Sequence, residues 1–167
     1  MSDLIKELTF GEDCQKLLIQ GVEKHAKAVK VSMGTHGQTA IIESPNHPNK
    51  LLITKDGVSI SKSIFLLEPI ENMASQIMKE AADRTALDAG DGTTASIVLS
   101  EALIKHGVDK IKPELNKTEV LREMVLIGDE VISQVGSRKL ECNDQILLDV
   151  AKTSCNNDEK TGTIIAE

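Results

Sequence analysis

With 167 residues, 40% of them hydrophobic and 27% charged, the chain has the size and composition of one globular domain or of part of a larger one. Its net charge of -7 disfavours nonspecific binding to nucleic acid, and no apolar run approaches the ~18 residues of a membrane span. Three cysteines without a C-x-x-C pair, and an amino terminus without a secretory signal, predict a protein of the reducing cytoplasm.

The amino-terminal part of the chain predicts one helix followed by a small β-hairpin. Apolar residues recur at helical spacing over residues 14–29, which predicts an amphipathic helix. Two short extended runs, residues 39–43 and 50–54, flank a cluster of turn-forming residues and predict the hairpin. The run over residues 58–64 fits either a third strand or the start of a helix, and the pattern does not decide between them.

From residue 68 onward the apolar positions recur mostly three or four residues apart, which predicts a helix in each segment. These segments are residues 68–87, 93–107, 116–136 and 144–153, followed by the opening of a further element at 163–167. The third begins at Asn116 in a pattern that resembles a capping box. The predicted fold is therefore mainly α, a helical bundle with one small β-hairpin.

A glycine-rich loop, Gly90-Asp91-Gly92-Thr93-Thr94, joins two of the predicted helices. Free N–H groups at the start of the second helix favour an anion, the glycines allow close approach of the backbone, and the threonines add hydroxyl donors. Asp91 would repel a phosphate unless a cation lay between them, which suggests Mg²⁺. The alternative is an ordinary helix stop followed by an Asp or Thr N-cap, which fits the spacing equally well.

Two other glycine-containing turns are weaker candidates for a phosphate site. Residues 32–37 follow the first helix and either wrap a phosphate or ribose or simply end that helix. Lys55-Asp56-Gly57 places a carboxylate in a tight turn, where it either orients a water for attack on a γ-phosphate or only makes the turn. Neither is a P-loop, because no Lys followed by Ser or Thr stands after a second glycine.

In their order and spacing, these three turns resemble the nucleotide site of the group I chaperonins, the GroEL type, and the likeness extends through nearly the whole chain. The stretches that carry it are residues 29–37 (VKVSMGTHG), 53–59 (ITKDGVS), 71–74 (ENMA) and 89–95 (AGDGTTA). The resemblance implies an incomplete GroEL equatorial domain-like fold over residues 1–137, followed by the start of the intermediate domain over residues 138–167.

The resemblance also implies a site for ATP with Mg²⁺ and K⁺. Asp91 would hold Mg²⁺, and Asp56 would orient the attacking water as the catalytic residue. The other nucleotide-binding residues would be Ser32, Met33, Gly34, Thr35, Lys55, Gly57, Gly92, Thr93, Thr94, Ala95 and, near the base, Ser154.

Two departures from the family pattern lower the expected affinity for nucleotide. Thr35 and His36 stand where the family usually has Pro and Lys, which loosens the first turn. Ala95 stands where the family has a third threonine, and a lost hydroxyl donor is worth about 1 kcal/mol where it is used.

The partners implied by the resemblance are further copies of the same chain in a homo-oligomeric, seven-membered ring. Unfolded protein substrates and a co-chaperonin would bind an apical domain that is absent from this sequence, as is the returning half of the equatorial domain. We therefore expect weak nucleotide binding and little hydrolysis from this chain alone.

Two other hypotheses remain open at this point. The first is a catalytically silent helical assembly module of a chaperonin-like ring, against which the intact Asp56 and Asp91 count. The second is an unrelated helical protein that binds an anion, which only the generic interpretation of the glycine loops favours.

Overall fold

The computed structural model describes residues 8–34, 36–44, 49–155 and 158–167. Within it the chain forms two compact units, Met1–Lys112 and Pro113–Glu167, which we describe separately. No helix of the described residues is long and apolar enough to cross a membrane.

The first unit combines helices with a two-stranded antiparallel sheet. Its elements are α1 (Gly11–Lys30), β1 (Ala40–Glu43), β2 (Leu51–Thr54), α2 (Gly57–Ser63), α3 (Pro69–Ala89) and α4 (Thr93–Lys110). The strands form the predicted hairpin, with Ala40 paired to Thr54 and Glu43 to Leu51. Most of the predicted turn between the strands, residues 45–48, lies outside the described part of the chain.

The undecided segment after the hairpin is a helix, α2. It forms because the side chain of Asp56 caps it by accepting hydrogen bonds from the backbone N–H groups of Val58 and Ser59. An N-cap of this kind satisfies backbone donors that a strand would have paired with a neighbour instead. The mainly α fold with one small hairpin is confirmed.

The core of the first unit lies where α1, α2, α3 and α4 meet. Its buried hydrophobic side chains are Val22, Ala26, Val29, Ile60, Ala74, Met78, Ala82 and Ile97. Small residues let α1 and α3 approach closely, and a Cβ atom at Gly21 would stand 2.3 Å from the carbonyl oxygen of Glu71. The side chain of Glu71, itself buried, also forms an ion pair with Lys24 of α1.

The second unit contains α5 (Lys117–Gly136), α6 (Asp144–Ser154) and α7 (Glu159–Ala166). Asn116 caps α5 as predicted, with its side-chain oxygen accepting from the N–H groups of Thr118 and Glu119. The prediction of an element opening at residue 163 is wrong, because the last helix starts earlier. Asp158 caps it by accepting from the backbone of Lys160.

Candidate functional site

The three turns predicted to bind a nucleotide line one cavity of about 350 Å³ in the first unit. Its lining residues are Ser32, Met33, Gly34, Lys55, Asp56, Gly57, Asp91, Gly92, Thr93, Thr94 and Ala95. Of the predicted site residues, Thr35 lies outside the described part of the chain. Ser154 is an exposed residue at the end of α6 in the second unit, and its role near the base stays a prediction.

Two glycines with left-handed backbones build the turn between α3 and α4. Gly90 has a φ of 74° and ends α3, and Gly92 has a φ of 82° and precedes α4. Residues with a Cβ atom rarely adopt this conformation. The helix stop that the sequence allowed is therefore present, and the turn it makes also forms one wall of the cavity.

The start of α4 has no side-chain cap, unlike the alternative that the sequence left open. The carboxylate of Asp91 accepts a hydrogen bond from the adjacent N–H of Gly92 at 2.6 Å and does not reach the first helical N–H groups. Donors at an uncapped helix start are available to an anion, and the positive end of the helix dipole favours one.

The turn Lys55-Asp56-Gly57, at the start of α2, forms another part of the cavity wall. Besides capping the helix, the carboxylate of Asp56 accepts a hydrogen bond from the hydroxyl of Ser59 at 2.6 Å. Partial burial raises the pKa of Asp56, but hydrogen bonds from Ser59 and Val58 and the charge of Lys62 outweigh it and hold that pKa below its ordinary value. Asp56 is therefore ionised at neutral pH.

The starts of α2 and α4 lie directly against each other. A Cβ atom at Gly57 would stand 2.2 Å from the side-chain oxygen of Thr94 and 3.2 Å from that of Thr93. Only glycine fits this position without a shift of its neighbours. The starts of two helices therefore meet at one cavity, and of the two it is α4 that has no side-chain cap.

The turn after α1 is closed by backbone hydrogen bonds. The N–H of Gly37 donates to the carbonyl of Gly34 at 3.0 Å, and the N–H of Gln38 donates to the carbonyl of Val31 at 2.7 Å. Gly34 has a φ of 78°, which again favours glycine. The turn brings Ser32, Met33 and Gly34 to the cavity wall.

The charges of the cavity suit a divalent cation that is shared with a ligand. The charged residues that line the cavity are two carboxylates, Asp56 and Asp91, and one lysine, Lys55. Among the described residues, no group of three or more His, Cys, Asp and Glu side chains could hold a metal ion by itself. This donor set fits Mg²⁺, which commonly takes one or two carboxylates and completes its shell with water and phosphate oxygens.

A buried polar network near the core was not predicted from the sequence. The ring of His25 in α1 is hydrogen-bonded to Ser75 of α3 and to Ser61 of α2. The two serines are 50 and 36 positions away from His25, and no local pattern connects them. In the sequence His25 occurs in the apolar stripe of α1, where a single histidine is more often a packed residue than a ligand.

Comparisons with known proteins point to one family. The model described as the TCP-1/cpn60 chaperonin family matches residues 26–167. A chaperonin GroEL of Methanospirillum hungatei is 32% identical over 163 residues, which are 97% of this chain and 30% of that protein. The chain therefore spans less than a third of the length of this relative.

Two solved structures share the fold. The chaperonin gp146 of bacteriophage EL 2 (Pseudomonas aeruginosa), crystallised in the presence of ATP-BeFx, gives a TM-score of 0.80 at 28% identity, over 94% of this chain and 28% of that one. A group III chaperonin in the open state gives a TM-score of 0.73 at 23% identity, over 92% of this chain and 31% of that one. The second likeness concerns the fold alone.

Proposed function

Because the chain belongs to the TCP-1/cpn60 chaperonin family, we propose that it is the nucleotide-binding part of an ATP-driven chaperonin subunit. The observation that carries the proposal is the cavity in which two helix N-termini, two carboxylates and three glycine turns meet. The complete subunit would bind and hydrolyse ATP here and use the energy to assist the folding of other proteins within a ring.

In this proposal the start of α4 binds the phosphates. The backbone N–H groups after Gly92 and the hydroxyls of Thr93 and Thr94 are donors at the positive end of a helix. Asp91 would hold Mg²⁺, which when bound neutralises charge on the phosphate oxygens. Ser32, Met33 and Gly34 would line the nucleotide from the turn after α1, and Lys55 would help through its backbone. K⁺ would be a second cation.

Asp56 would orient the water that attacks the γ-phosphate. The hydrogen bonds that cap α2 hold this carboxylate in a fixed rotamer at the cavity wall, and they keep it ionised. A fixed acceptor orders a water more effectively than a mobile one, because less freedom is lost when the water binds. The same contacts that make α2 a helix therefore prepare Asp56 for this role.

The finer features follow the family and remain proposals. They are a seven-membered homo-oligomeric ring, binding of unfolded proteins, dependence on a co-chaperonin, and a cytoplasmic location. The domain boundary after residue 137 also remains a proposal, while the compact units of this chain divide after Lys112.

Calorimetry with ATP in the presence and absence of Mg²⁺ tests the proposed function. We expect Mg²⁺-dependent binding that weakens by about 10-fold or more in Asp91→Ala, because the cation loses its only protein carboxylate in the α3–α4 turn. The matched control is Asp88→Ala, which removes an exposed carboxylate of α3 that does not line the cavity. Equal binding by the two variants would contradict the role of Asp91.

A second test isolates the capping role of Asp56. Asn also caps helices well, so Asp56→Asn should retain the stability of α2 and the affinity for ATP while it removes the ionised acceptor. Asp56→Ala should destabilise the first unit by about 1 kcal/mol, since it leaves two N–H groups of α2 without their cap. Urea unfolding measures the stability, and calorimetry measures the affinity. A loss of stability in Asp56→Asn as large as in Asp56→Ala would show that the cap is not made as described.

One observation favours the alternative of a silent assembly module. Helix α5 buries none of its residues, and it exposes apolar side chains such as Val125, Val131 and Ile132. Such a face suits packing against other chain segments. Absence of ATP binding by the unaltered chain, with or without Mg²⁺, would support this alternative.

A further inference from the structure

The buried network around His25 joins three helices of the first unit. The Nδ1 atom of the ring is 2.8 Å from the hydroxyl oxygen of Ser75, and the Nε2 atom is 3.0 Å from that of Ser61. All three residues are 0% exposed. One imidazole ring thus connects α1 to α2 through one nitrogen and α1 to α3 through the other.

The bonding pattern of the ring requires both serines. A neutral imidazole has one donor and one acceptor nitrogen, so one serine hydroxyl accepts from the ring and the other donates to it. Neither nitrogen has access to water, so removal of one serine leaves a buried polar atom unpaired. Because a hydrogen bond needs a suitable distance and angle, each of the two bonds favours one position of the helix that carries its serine.

Besides the bond to His25, helix α2 has directional contacts to α3 at Lys62, whose carbonyl accepts a hydrogen bond from Lys79 and whose side chain pairs with Asp83. It spans Gly57–Ser63, and its buried residues are Gly57, Ile60 and Ser61, of which Ile60 is the one large hydrophobic side chain. Apolar contact is nondirectional and resists sliding or rotation of a short helix only weakly. The bond from Ser61 to His25 adds a directional contact to α1, close to the middle of α2.

Ser61 lies four residues after Gly57, which is roughly one helical turn or about 6 Å along the axis. Gly57 contacts Thr93 and Thr94 so closely that no Cβ atom fits between them. A small displacement of α2 therefore changes the contact with the start of α4, and it also moves the carboxylate of Asp56 at the cavity wall.

We propose that His25 is a positioning residue for the nucleotide site, which it serves by holding α2 through Ser61. The ring belongs to α1, and its bond to Ser61 ties α1 to the helix whose first residues line the cavity, while the bond to Ser75 pairs the other ring nitrogen with α3. This inference rests on the proposed function, since it assigns His25 a role in shaping the same site.

The two serines provide a matched pair of variants for the test. Ser61→Ala and Ser75→Ala each remove one hydroxyl, from equally buried positions, and each leaves one ring nitrogen unpaired. A purely structural network predicts the same consequences for both. The proposal predicts similar losses in thermal midpoint but different effects on the site, because only Ser61 belongs to α2.

Two readouts on the whole chain distinguish these possibilities. With ATP and Mg²⁺, we expect the affinity to fall about 5-fold in Ser61→Ala and less than about 2-fold in Ser75→Ala. Without nucleotide, we expect hydrogen exchange of the amides in residues 58–63 to be about 5-fold faster in Ser61→Ala than in Ser75→Ala. Equal exchange in the two variants would overturn the inference.

The exchange measurement separates failure of this inference from failure of the proposed function. If the unaltered chain does not bind ATP, the proposed site is not functional in this chain, yet the exchange of α2 still shows whether Ser61 and His25 hold it. If the chain binds ATP and both variants bind it equally well, His25 does not position the site even though the site functions.

Variants of the histidine itself provide a second test if a serine variant does not fold. The side-chain amide of Gln can replace the Nε2 atom of His, and that of Asn can replace the Nδ1 atom. His25→Gln should therefore keep the bond to Ser61 and retain slow exchange in α2. His25→Asn should keep the bond to Ser75 and show faster exchange in α2. The reverse order would contradict the proposed role.

Discussion

The Gly21→Ala variant is expected to lose about 3 kcal/mol of its free energy of unfolding, because there is no space for the added methyl group. A Cβ atom at this position would stand 2.3 Å from the carbonyl oxygen of Glu71, 2.7 Å from its Cα atom and 2.9 Å from the Cβ atom of Ala74. Two of these atoms belong to the backbone of α3 and cannot move aside by rotation of a side chain. The helices α1 and α3 must separate, which loosens the core around Ala26 and Met78.

The matched control is Gly107→Ala, a substitution in α4 of the same unit. Its added Cβ atom would have only the end of the Ile111 side chain nearby, at 3.9 Å. Since alanine favours a helix over glycine, this variant should be more stable than the unaltered chain by roughly 0.5 kcal/mol. Urea unfolding monitored by helical circular dichroism measures both. Equal midpoints for Gly21→Ala and the unaltered chain would show that α1 and α3 do not approach this closely.

The parts of the site that the sequence predicted are those that depend on local backbone chemistry. Gly90, Gly92 and Gly34 have positive φ angles, so the turns that they form can be recognised from the positions of glycine in the sequence. The resemblance to the chaperonin family added which turns belong together. Their common cavity is a matter of tertiary packing, which glycine spacing alone does not specify.

The features that the sequence did not predict depend on long-range contacts or on competing local signals. Residues 58–64 alternate in a way that fits a strand, but the cap from Asp56 decides for a helix. The start predicted at residue 163 for a further element was too late, because the backbone N–H groups of Lys160 and Thr161 donate to the capping side chain of Asp158. Caps of this kind were available in the sequence and outweighed the apolar pattern.

Segment 71–74, one of the stretches that resemble the chaperonin family, makes contacts at the start of α3. Its Glu71 pairs with Lys24 of α1, and the side-chain oxygen of Asn72 accepts a hydrogen bond from the N–H of Leu66. Ala74 is 1% exposed and lies against Gly21. The motif therefore fixes the junction of α1 and α3 and the chain that enters α3, at residues outside the cavity lining.

Acidification should destabilise the first unit through His25. Burial, reinforced by the positive charge of Lys79, lowers the pKa of His25 from 6.5 to about 4. As the pH falls from 6.5 towards 4, the unfolded chain therefore binds a proton at this residue before the folded chain does. The free energy of unfolding falls over this window, by an amount on the order of 3 kcal/mol from His25 alone.

The surroundings of the ring explain why it does not accept a proton readily. Protonation would make both ring nitrogens donors, so the serine hydroxyl that donates to the ring would lose its acceptor. Of the charged groups on the adjoining elements, Lys79 opposes the added charge, and Glu71 is paired with Lys24. Asp83 of α3 is likewise paired, with Lys62 of α2. Proton binding therefore requires that hydroxyl to turn and to find another acceptor within a buried site.

Urea unfolding at a series of pH values between 7 and 4 measures this effect, with His25→Gln as the variant that removes the titrating group. Its free energy of unfolding should change less over the window than that of the unaltered chain, by about 3 kcal/mol at the acid end. His106→Gln, which replaces an exposed histidine of α4, is the matched control. The pKa values of Asp56 and Asp158 lie below their ordinary 3.8, so the stability that these carboxylates contribute is lost only at still lower pH. An unchanged pH dependence in His25→Gln would mean that the ring takes up its proton in the folded chain as readily as in the unfolded one.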